Sequence, residues 1–99
     1  MIIINVRTQV RPDKRDEFLA AIEQETPISR DFPGCISYVW SEQLGAANQF
    51  ALYEEWETRQ SFDAYRNSAH FQYLMPTFTA FFSDSPQSSY YEGALLENA

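Results

Sequence analysis

The sequence predicts an α+β domain with the ferredoxin-like split βαβ topology, in which a four-stranded antiparallel sheet carries helices on one face. Two observations lead to this fold class. Segments with alternating side-chain character and segments with helical spacing follow one another in the order strand, helix, strand, strand, helix, strand. The chain has 99 residues, which is a typical length for one domain and short for two. We therefore expect a single domain that spans residues 1–99.

The first half of the chain predicts a strand followed by a helix. Residues 2–10 alternate in character, which is typical of a strand with two different faces. The turn at residues 11–13 leads into a helix whose apolar residues recur at helical spacing, and the segment 32–34 (FPG) is a strong stop. Because proline removes a backbone donor, we expect Pro27 to disturb this helix or end its regular part. Pro76 should bend a later helix or begin its regular part.

The second half predicts a hairpin, a helix in two pieces and a last strand. Residues 35–44 and 49–57 alternate, and the short loop between them indicates that they pair antiparallel. Thr58 is a good N-cap for the next helix, and Asn67-Ser68 interrupts that helix and offers a second cap. Residues 88–96 predict the final strand. The second helical piece carries a continuous apolar stripe, made of Phe71, Leu74, Met75, Phe78, Phe81 and Phe82.

Charge and hydropathy exclude two classes of partner. The chain has 14 acidic and seven basic residues, a net charge of −7, and its basic residues are scattered along the sequence. Nucleic acid is therefore not expected as a partner. No apolar stretch is long enough to span a bilayer, and the first residues turn polar too soon for a signal peptide. We expect no contact with membranes and a cytoplasmic location.

The chain offers few ligands for a metal ion. Cys35 is the single cysteine and His70 the single histidine. One cysteine excludes an internal disulfide and removes the paired ligands typical of zinc and iron–sulfur sites, so we expect no metal. Cys35 itself is predicted to be a small buried residue rather than a nucleophile, because no cationic cluster is available to activate the thiol.

Both faces of the predicted sheet contain apolar side chains. The first strand has Ile2 on one face and Ile3 on the other. The second strand has Ile36, Tyr38 and Trp40 on one face and Val39 on the other. Helices cover one face of such a sheet, so the other face needs a second cover. We predict a homodimer through that sheet face, because twofold pairs are the commonest homo-oligomers.

Four segments resemble the antibiotic biosynthesis monooxygenase domain family. They are residues 10–18 (VRPDKRDEF), 29–35 (SRDFPGC), 53–56 (YEEW) and 68–71 (SAHF), which occur in the family's order and with its spacing. The resemblance implies the fold predicted above, a dimer through the free sheet face, and a pocket between the sheet and the helices of each subunit. It also implies oxygenation, without a bound cofactor, of a small aromatic, quinol or polyketide-like phenol.

Two positions differ from active sites known in this family. Where the family's oxygenases use a tryptophan at the position of Trp56, an asparagine lies four residues earlier, and here that residue is Leu52. The haem-degrading branch relies on a histidine, and Met75 occupies that position here. The resemblance therefore implies no haem, and we expect no cofactor.

Three residues are predicted to carry the chemistry. His70 titrates near neutral pH without help and is the candidate general base. Trp56 has an indole N–H that could donate to a carbonyl or a reduced oxygen species. Asn5 is a polar residue in an apolar strand and a candidate donor on the pocket wall. The structural alternatives are a contact at the helix break for His70, a core position for Trp56 and a strand-edge or bulge position for Asn5.

Apolar residues of the helices are predicted to bind the ligand, although their periodicity also fits a core. These residues are Phe62, Tyr65, Phe71, Met75 and Phe78. Glu54 shares the face of Trp56, but an ion pair between Glu54 and Arg7 or Arg66 is the favoured interpretation.

Our hypothesis from the sequence is a cofactor-independent monooxygenase that binds a small aromatic molecule in an apolar pocket. Two alternatives stay open. One is a non-catalytic dimer that binds a small molecule or acts as a scaffold, and the other is an isomerase of a small metabolite. The scattered arginines argue against an isomerase of a phosphorylated compound, since they form no phosphate cradle in the sequence.

Overall fold

The computed structural model describes residues 1–99 and has the predicted order of elements. Its regular elements are β1 (Ile2–Gln9), a 3₁₀ turn (Pro12–Lys14), α1 (Arg15–Arg30), β2 (Cys35–Glu42), β3 (Gln49–Trp56), α2 (Arg59–Arg66), α3 (Ala69–Thr79) and β4 (Gln87–Glu92). The four strands form one antiparallel sheet in the order β2-β3-β1-β4. This is the ferredoxin-like α+β arrangement, so the predicted fold class is confirmed.

The two faces of the sheet differ as the alternation in β1 predicts. Ile2 and Ile4 are buried beneath the helices, whereas Asn5 and Arg7 are exposed on the opposite, open face. In β2 a bulge between Cys35 and Ser37 shifts the register, and Ile36 within it is exposed. Ile36 therefore does not join Tyr38 and Trp40 in the core as the strict alternation predicts, because the bulge adds one residue opposite β3.

The last strand is shorter than predicted. It ends at Glu92, which pairs with Ile2, the first residue of β1. Gly93 still exchanges two hydrogen bonds with Met1, at 3.0 and 2.7 Å. Residues 94–99 form no regular element, and Leu95 and Leu96 are exposed.

The two prolines lie inside helices that continue past them. Pro27 is followed by three more residues of α1, and Pro76 lies within α3. Both prolines are exposed. A carbonyl that loses its intrahelical donor on this side faces water, which lowers the cost of the missing bond.

The predicted N-caps are present, because Thr58 forms a capping box with Ser61 and Ser68 accepts from the backbone N–H of Phe71.

Two clusters of buried side chains fill the space between the sheet and the helices. The first lies under α2 and contains Ile2, Ile4, Tyr38, Leu52, Trp56, Phe62 and Tyr65. The second lies between α1 and α3 and contains Val10, Phe18, Phe50, Leu74 and Phe78. Trp40 packs against both clusters. None of the helices is long and apolar enough to span a membrane.

Gly34 joins α1 to β2 at a point where only glycine fits. Its φ is +85°, a value that L-residues with a side chain adopt at a cost. A methyl group at Gly34 would overlap the side chain of Ser61 at the start of α2. The Gly34 carbonyl also accepts from the Glu57 N–H at 2.8 Å, so this glycine fixes the approach of α2 to the sheet.

We expect Gly34→Ala to destabilise the fold more than Gly45→Ala. Both glycines have positive φ, but an added methyl at Gly45 meets nothing within 4 Å. The control Gly45→Ala should therefore cost about 1 kcal/mol for the backbone alone, and Gly34→Ala about 2–4 kcal/mol because of the overlap with Ser61. Urea unfolding followed by circular dichroism measures both values, and equal losses would contradict the assignment of steric contact to Gly34.

Candidate functional site

A cavity of about 90 Å³ lies beside the two core clusters, bordered by α2, α3 and the inner face of the sheet, including β4. Its wall is mostly apolar, and members of both clusters contribute to it. Pro86, Ser88 and Tyr90 form its side next to β4. All five residues predicted to bind the ligand lie in the wall, namely Phe62, Tyr65, Phe71, Met75 and Phe78.

Glu54 is the only acidic residue in the cavity wall. It lies on β3, is 5% exposed, and accepts a hydrogen bond at 3.0 Å from the indole N–H of Trp56. Burial raises the pKa of Glu54 from 4.5 to about 7, the Trp56 hydrogen bond counteracts this effect, and the charge of Glu25 adds to the increase. The carboxyl group of Glu54 is therefore poised to exchange a proton near neutral pH.

The favoured interpretation of Glu54 as half of an ion pair is wrong. Arg66 pairs instead with Asp63, at 2.7 Å, one helical turn away on α2. Arg7 is exposed on the open face of the sheet, away from Glu54. Because Glu54 forms no ion pair, burial keeps the pKa of its carboxyl group raised.

Trp56 supports Glu54 and does not line the cavity. Its side chain is fully buried, and its ring lies 4.7 Å from the ring of Tyr65, centroid to centroid. Since Glu54 accepts its N–H, this indole has no donor left for a ligand. The geometry therefore makes Trp56 a positioning residue.

A second buried carboxylate, Glu25, organises a network beside the cavity. Glu25 lies on the inner face of α1 and accepts from the Tyr38 hydroxyl at 2.9 Å and from the Ser29 hydroxyl. The Nε2 atom of His70 lies 3.1 Å from the same carboxylate. Ser29 also bonds the Tyr65 hydroxyl at 2.8 Å. Burial raises the pKa of Tyr38 and of Tyr65, so both phenols stay neutral and serve as hydrogen-bonding groups.

His70 lies outside the cavity. Its side chain is 18% exposed and lines a shallow groove between α1 and α3. The network links it to the cavity wall by two routes, through Glu25 to Tyr38 and through Ser29 to Tyr65. His70 also packs against Phe32, with ring centroids 5.7 Å apart. Two hydrogen bonds therefore separate the predicted base from the cavity wall.

Asn5 lies on the open face and is not brought to the cavity. It is exposed between Tyr53 and Ser89 on the neighbouring strands, while its chain neighbours Ile4 and Val6 line the cavity. The alternation of β1 separates the two faces, so Asn5 and Trp56 point to opposite sides of the sheet. Asn5 is therefore not part of the site.

The sequence interpretation missed the residues that complete the network. Glu25 and Ser29 are four residues apart on α1 and follow Phe18 and Ile22 at helical spacing. A carboxylate on the apolar face of a helix needs hydrogen-bond donors, and that pattern could have marked Glu25 as a site residue.

The structure shows no cluster of three or more His, Cys, Asp or Glu side chains that could hold a metal ion. Cys35 is half-buried, and its thiol lies 3.8 Å from the carbonyl oxygen of Ser37. Burial and the nearby charge of Glu54 raise the pKa of the Cys35 thiol, so it stays protonated at neutral pH.

Comparisons with known proteins agree with the fold. Over 85 residues the chain is 36% identical to the uncharacterized protein sll1783 of Synechocystis. This match covers 86% of this chain and about half (53%) of sll1783. It is 32% identical over 72 residues to YcnE of Bacillus subtilis, which is named as a candidate monooxygenase; the match covers 73% of this chain and 76% of YcnE. A crystal structure of a conserved protein from Methanosarcina mazei superposes with a TM-score of 0.88 at 24% identity, covering 94% of this chain and 92% of that one.

The family itself follows from a match along most of the chain. Residues 1–76 match the sequence profile of the antibiotic biosynthesis monooxygenases, a stretch that runs from β1 into α3 and includes Glu25, Glu54 and His70. The resemblance of the four sequence segments is thereby confirmed, and the chain belongs to the antibiotic biosynthesis monooxygenase family.

Proposed function

We propose that the chain is a cofactor-independent monooxygenase that oxidises a small phenol or quinol, with Glu54 as the general base. The observation that carries this proposal is a single carboxyl group with a pKa of about 7 in the wall of a mostly apolar cavity. Such a group accepts a proton at neutral pH, and the apolar surroundings favour a flat aromatic ligand. Membership of the monooxygenase family supports the reaction class.

The proposed reaction consumes dioxygen and no external reductant. The Glu54 carboxylate takes the proton of the ring hydroxyl, and the resulting phenolate is electron-rich enough to react with dioxygen. A carbon–oxygen bond forms at a ring C–H position and gives a hydroperoxide. The O–O bond then breaks as the ring hydrogen leaves, so one oxygen atom stays as a carbonyl and the other departs as water. A phenol and one dioxygen thus give a quinone and one water.

Within this proposal the roles of the predicted residues change. Glu54 replaces His70 as the base, because Glu54 lies in the cavity wall and His70 lies beyond the network of Glu25. Trp56 holds the Glu54 carboxylate by its indole N–H. We assign His70 to the network that fixes Tyr38 and Tyr65 in the wall.

The proposal includes a homodimer through the open face of the sheet. Apolar side chains such as Val39 and Tyr91 are 43% and 56% exposed on or beside this face. Arg7 and Glu55 lie on the same face with opposite charges, so a second copy related by a twofold axis meets a surface of mixed sign. With 16 of 99 residues buried, the chain has a small core of its own.

A second candidate function, a non-catalytic binding dimer, is favoured by the size of the cavity. One buried water needs about 10–15 Å³ of cavity volume. A cavity of about 90 Å³ therefore has room for several waters, but for little more than one aromatic ring. A dimer with this cavity could hold a small ligand without changing it. Measurements of turnover separate the two functions.

Glu54→Gln is expected to lower the rate of oxygen uptake with one-ring quinols and phenols about 100-fold, since the amide cannot accept the proton. His70→Ala should lower the rate less than tenfold, because His70 does not line the cavity. The measurement is oxygen consumption across a panel of hydroquinones and phenols, after subtraction of the rate without protein.

The wild-type rate should also rise with pH through a midpoint near 7, the pKa of Glu54. No turnover by the wild type with any compound at any pH would overturn the oxygenase and leave the binding dimer. A greater loss for His70→Ala than for Glu54→Gln would return the role of base to His70.

The raised pKa of Glu54 predicts a loss of stability with increasing pH. Between pH 4.5, the ordinary pKa of the group, and about 7 the folded chain keeps a proton that the unfolded chain has lost. The free energy of unfolding should therefore fall by about 3 kcal/mol over this range relative to Glu54→Gln, which has no such proton. Urea titrations of both proteins at pH 4.5, 6 and 8 measure the difference, and parallel curves would show that Glu54 titrates normally.

Val39→Lys is expected to convert a dimer into a monomer, because an unpaired charge on the open face cannot be buried against a second copy without a large cost. Leu44→Lys is the matched control, since Leu44 is 99% exposed in the loop after β2. Light scattering during gel filtration gives the mass of each protein. A monomeric wild type, or a dimer that survives Val39→Lys, would refute this interface.

A further inference from the structure

We infer that the indole N–H of Trp40 is the binding site for a carbonyl oxygen of the ligand, so that the preferred ligand is a one-ring phenol that also carries a carbonyl group. This inference rests on the proposed function, because it places the ring hydroxyl of the ligand at Glu54. It adds a second point of recognition in the same cavity and narrows the class of ligand.

Trp40 lies in the cavity wall, and its N–H has no partner. The Nε1 atom is buried, and it is the only buried side-chain nitrogen or oxygen in the structure without a hydrogen bond. Buried donors in folded proteins are almost always paired, because an unpaired one forfeits the hydrogen bond that it makes with water in the unfolded chain. An acceptor delivered by a ligand would restore that bond.

The second tryptophan shows that the fold can satisfy a buried indole. Trp56 is fully buried, and its N–H reaches the Glu54 carboxylate. Two indoles therefore lie in one small region of the core. The N–H of Trp56 is paired within the protein, whereas the buried N–H of Trp40, a residue of the cavity wall, has no partner. The difference is the reason to assign the ligand's acceptor to Trp40.

Trp40 and Glu54 are placed to hold one molecule between them. Trp40 on β2 pairs with Leu52 on β3, and Glu54 lies two residues further along β3, on the same face of the sheet. Such diagonal positions are about 7–8 Å apart, within reach of long side chains. A ring with a hydroxyl at one end and a carbonyl at the other can therefore donate to Glu54 and accept from Trp40.

Neighbouring aromatic rings account for the packing of Trp40 but give its N–H no conventional acceptor. Phe18 contacts the indole edge to face, with centroids 5.3 Å apart, and Phe78 lies at 6.1 Å. An N–H bond to the face of a ring is a weak interaction, and a carbonyl oxygen would be the stronger partner. If the Trp40 N–H bonds only to a neighbouring ring, ligands with and without a carbonyl group should bind equally well. If it is free for the ligand, the ligand with the carbonyl group should bind more tightly.

The test compares two ligands that differ in the carbonyl group alone, 4-hydroxyacetophenone and 4-ethylphenol. Titration calorimetry with the wild type should give about tenfold tighter binding of the ketone, because the ketone alone satisfies the Trp40 donor. Trp40→Phe keeps an aromatic ring and removes the N–H, so the preference should fall to less than twofold. Near-UV circular dichroism verifies that this variant is folded.

A second measurement uses the wild type without a substitution in the cavity. The chain has two tryptophans, so its proton–nitrogen NMR spectrum contains two indole N–H signals, and the loss of one in Trp40→Phe assigns it. We expect the Trp40 signal to move downfield with the ketone and to move less with 4-ethylphenol, while the Trp56 signal changes little.

The outcomes separate this inference from the proposed function. Equal binding of both phenols with an unmoved Trp40 signal would overturn the role of Trp40 and leave Glu54 as the proposed base. Failure of the wild type to bind either phenol would overturn both, because the cavity would then not be a phenol site. A preference that persists in Trp40→Phe would assign the carbonyl to another donor and refute the inference.

Discussion

The arrangement of the helices depends on the hydrogen bonds of one buried carboxylate, that of Glu25. An ionised carboxylate in the core is costly unless donors surround it, and here the donors come from three different elements. Ser29 belongs to α1 with Glu25, Tyr38 belongs to β2, and His70 belongs to α3. Through Ser29 the same network reaches Tyr65 on α2. A shift of any one of these elements would leave a donor or the carboxylate unpaired, so the network fixes their mutual positions.

The two buried acidic residues of the core, Glu25 and Glu54, differ in their hydrogen-bond partners. Glu25 is in contact with two hydroxyls and an imidazole nitrogen. Glu54 accepts a single side-chain bond, from an indole that lies on its own strand, and its remaining capacity faces the cavity. Burial disfavours the charged form of Glu54 and raises its pKa, so this carboxyl group can exchange a proton near neutral pH. Glu25 instead connects the three elements that carry its hydrogen-bond partners.

Much of the fold could be predicted from the sequence because it depends on local patterns. Alternation located β1 and β3, and the hydroxyl side chains of Thr58 and Ser68 marked the starts of both later helices. The site was predicted less well, because its contacts join distant parts of the chain. His70 meets Glu25 across 45 residues. Alternation places Asn5 and its chain neighbours on opposite faces of the sheet, but it does not show which face meets the helices. Asn5 was predicted to lie on the cavity side, and it lies on the open face.

The position of β4 at the edge of the sheet makes one side of the cavity easier to rearrange than the other. As an edge strand it bonds only to β1, whereas Glu54 lies on a strand held by neighbours on both sides. The match to the family profile ends at residue 76, before β4 begins, yet Ser88 and Tyr90 of this strand line the cavity. One side of the cavity therefore lies on a strand whose rearrangement would break two sets of hydrogen bonds, and the opposite side lies on a strand held by one set. A rearrangement of β4 would change the shape of the cavity while the Glu54 carboxyl group and the Trp56 indole stay in place.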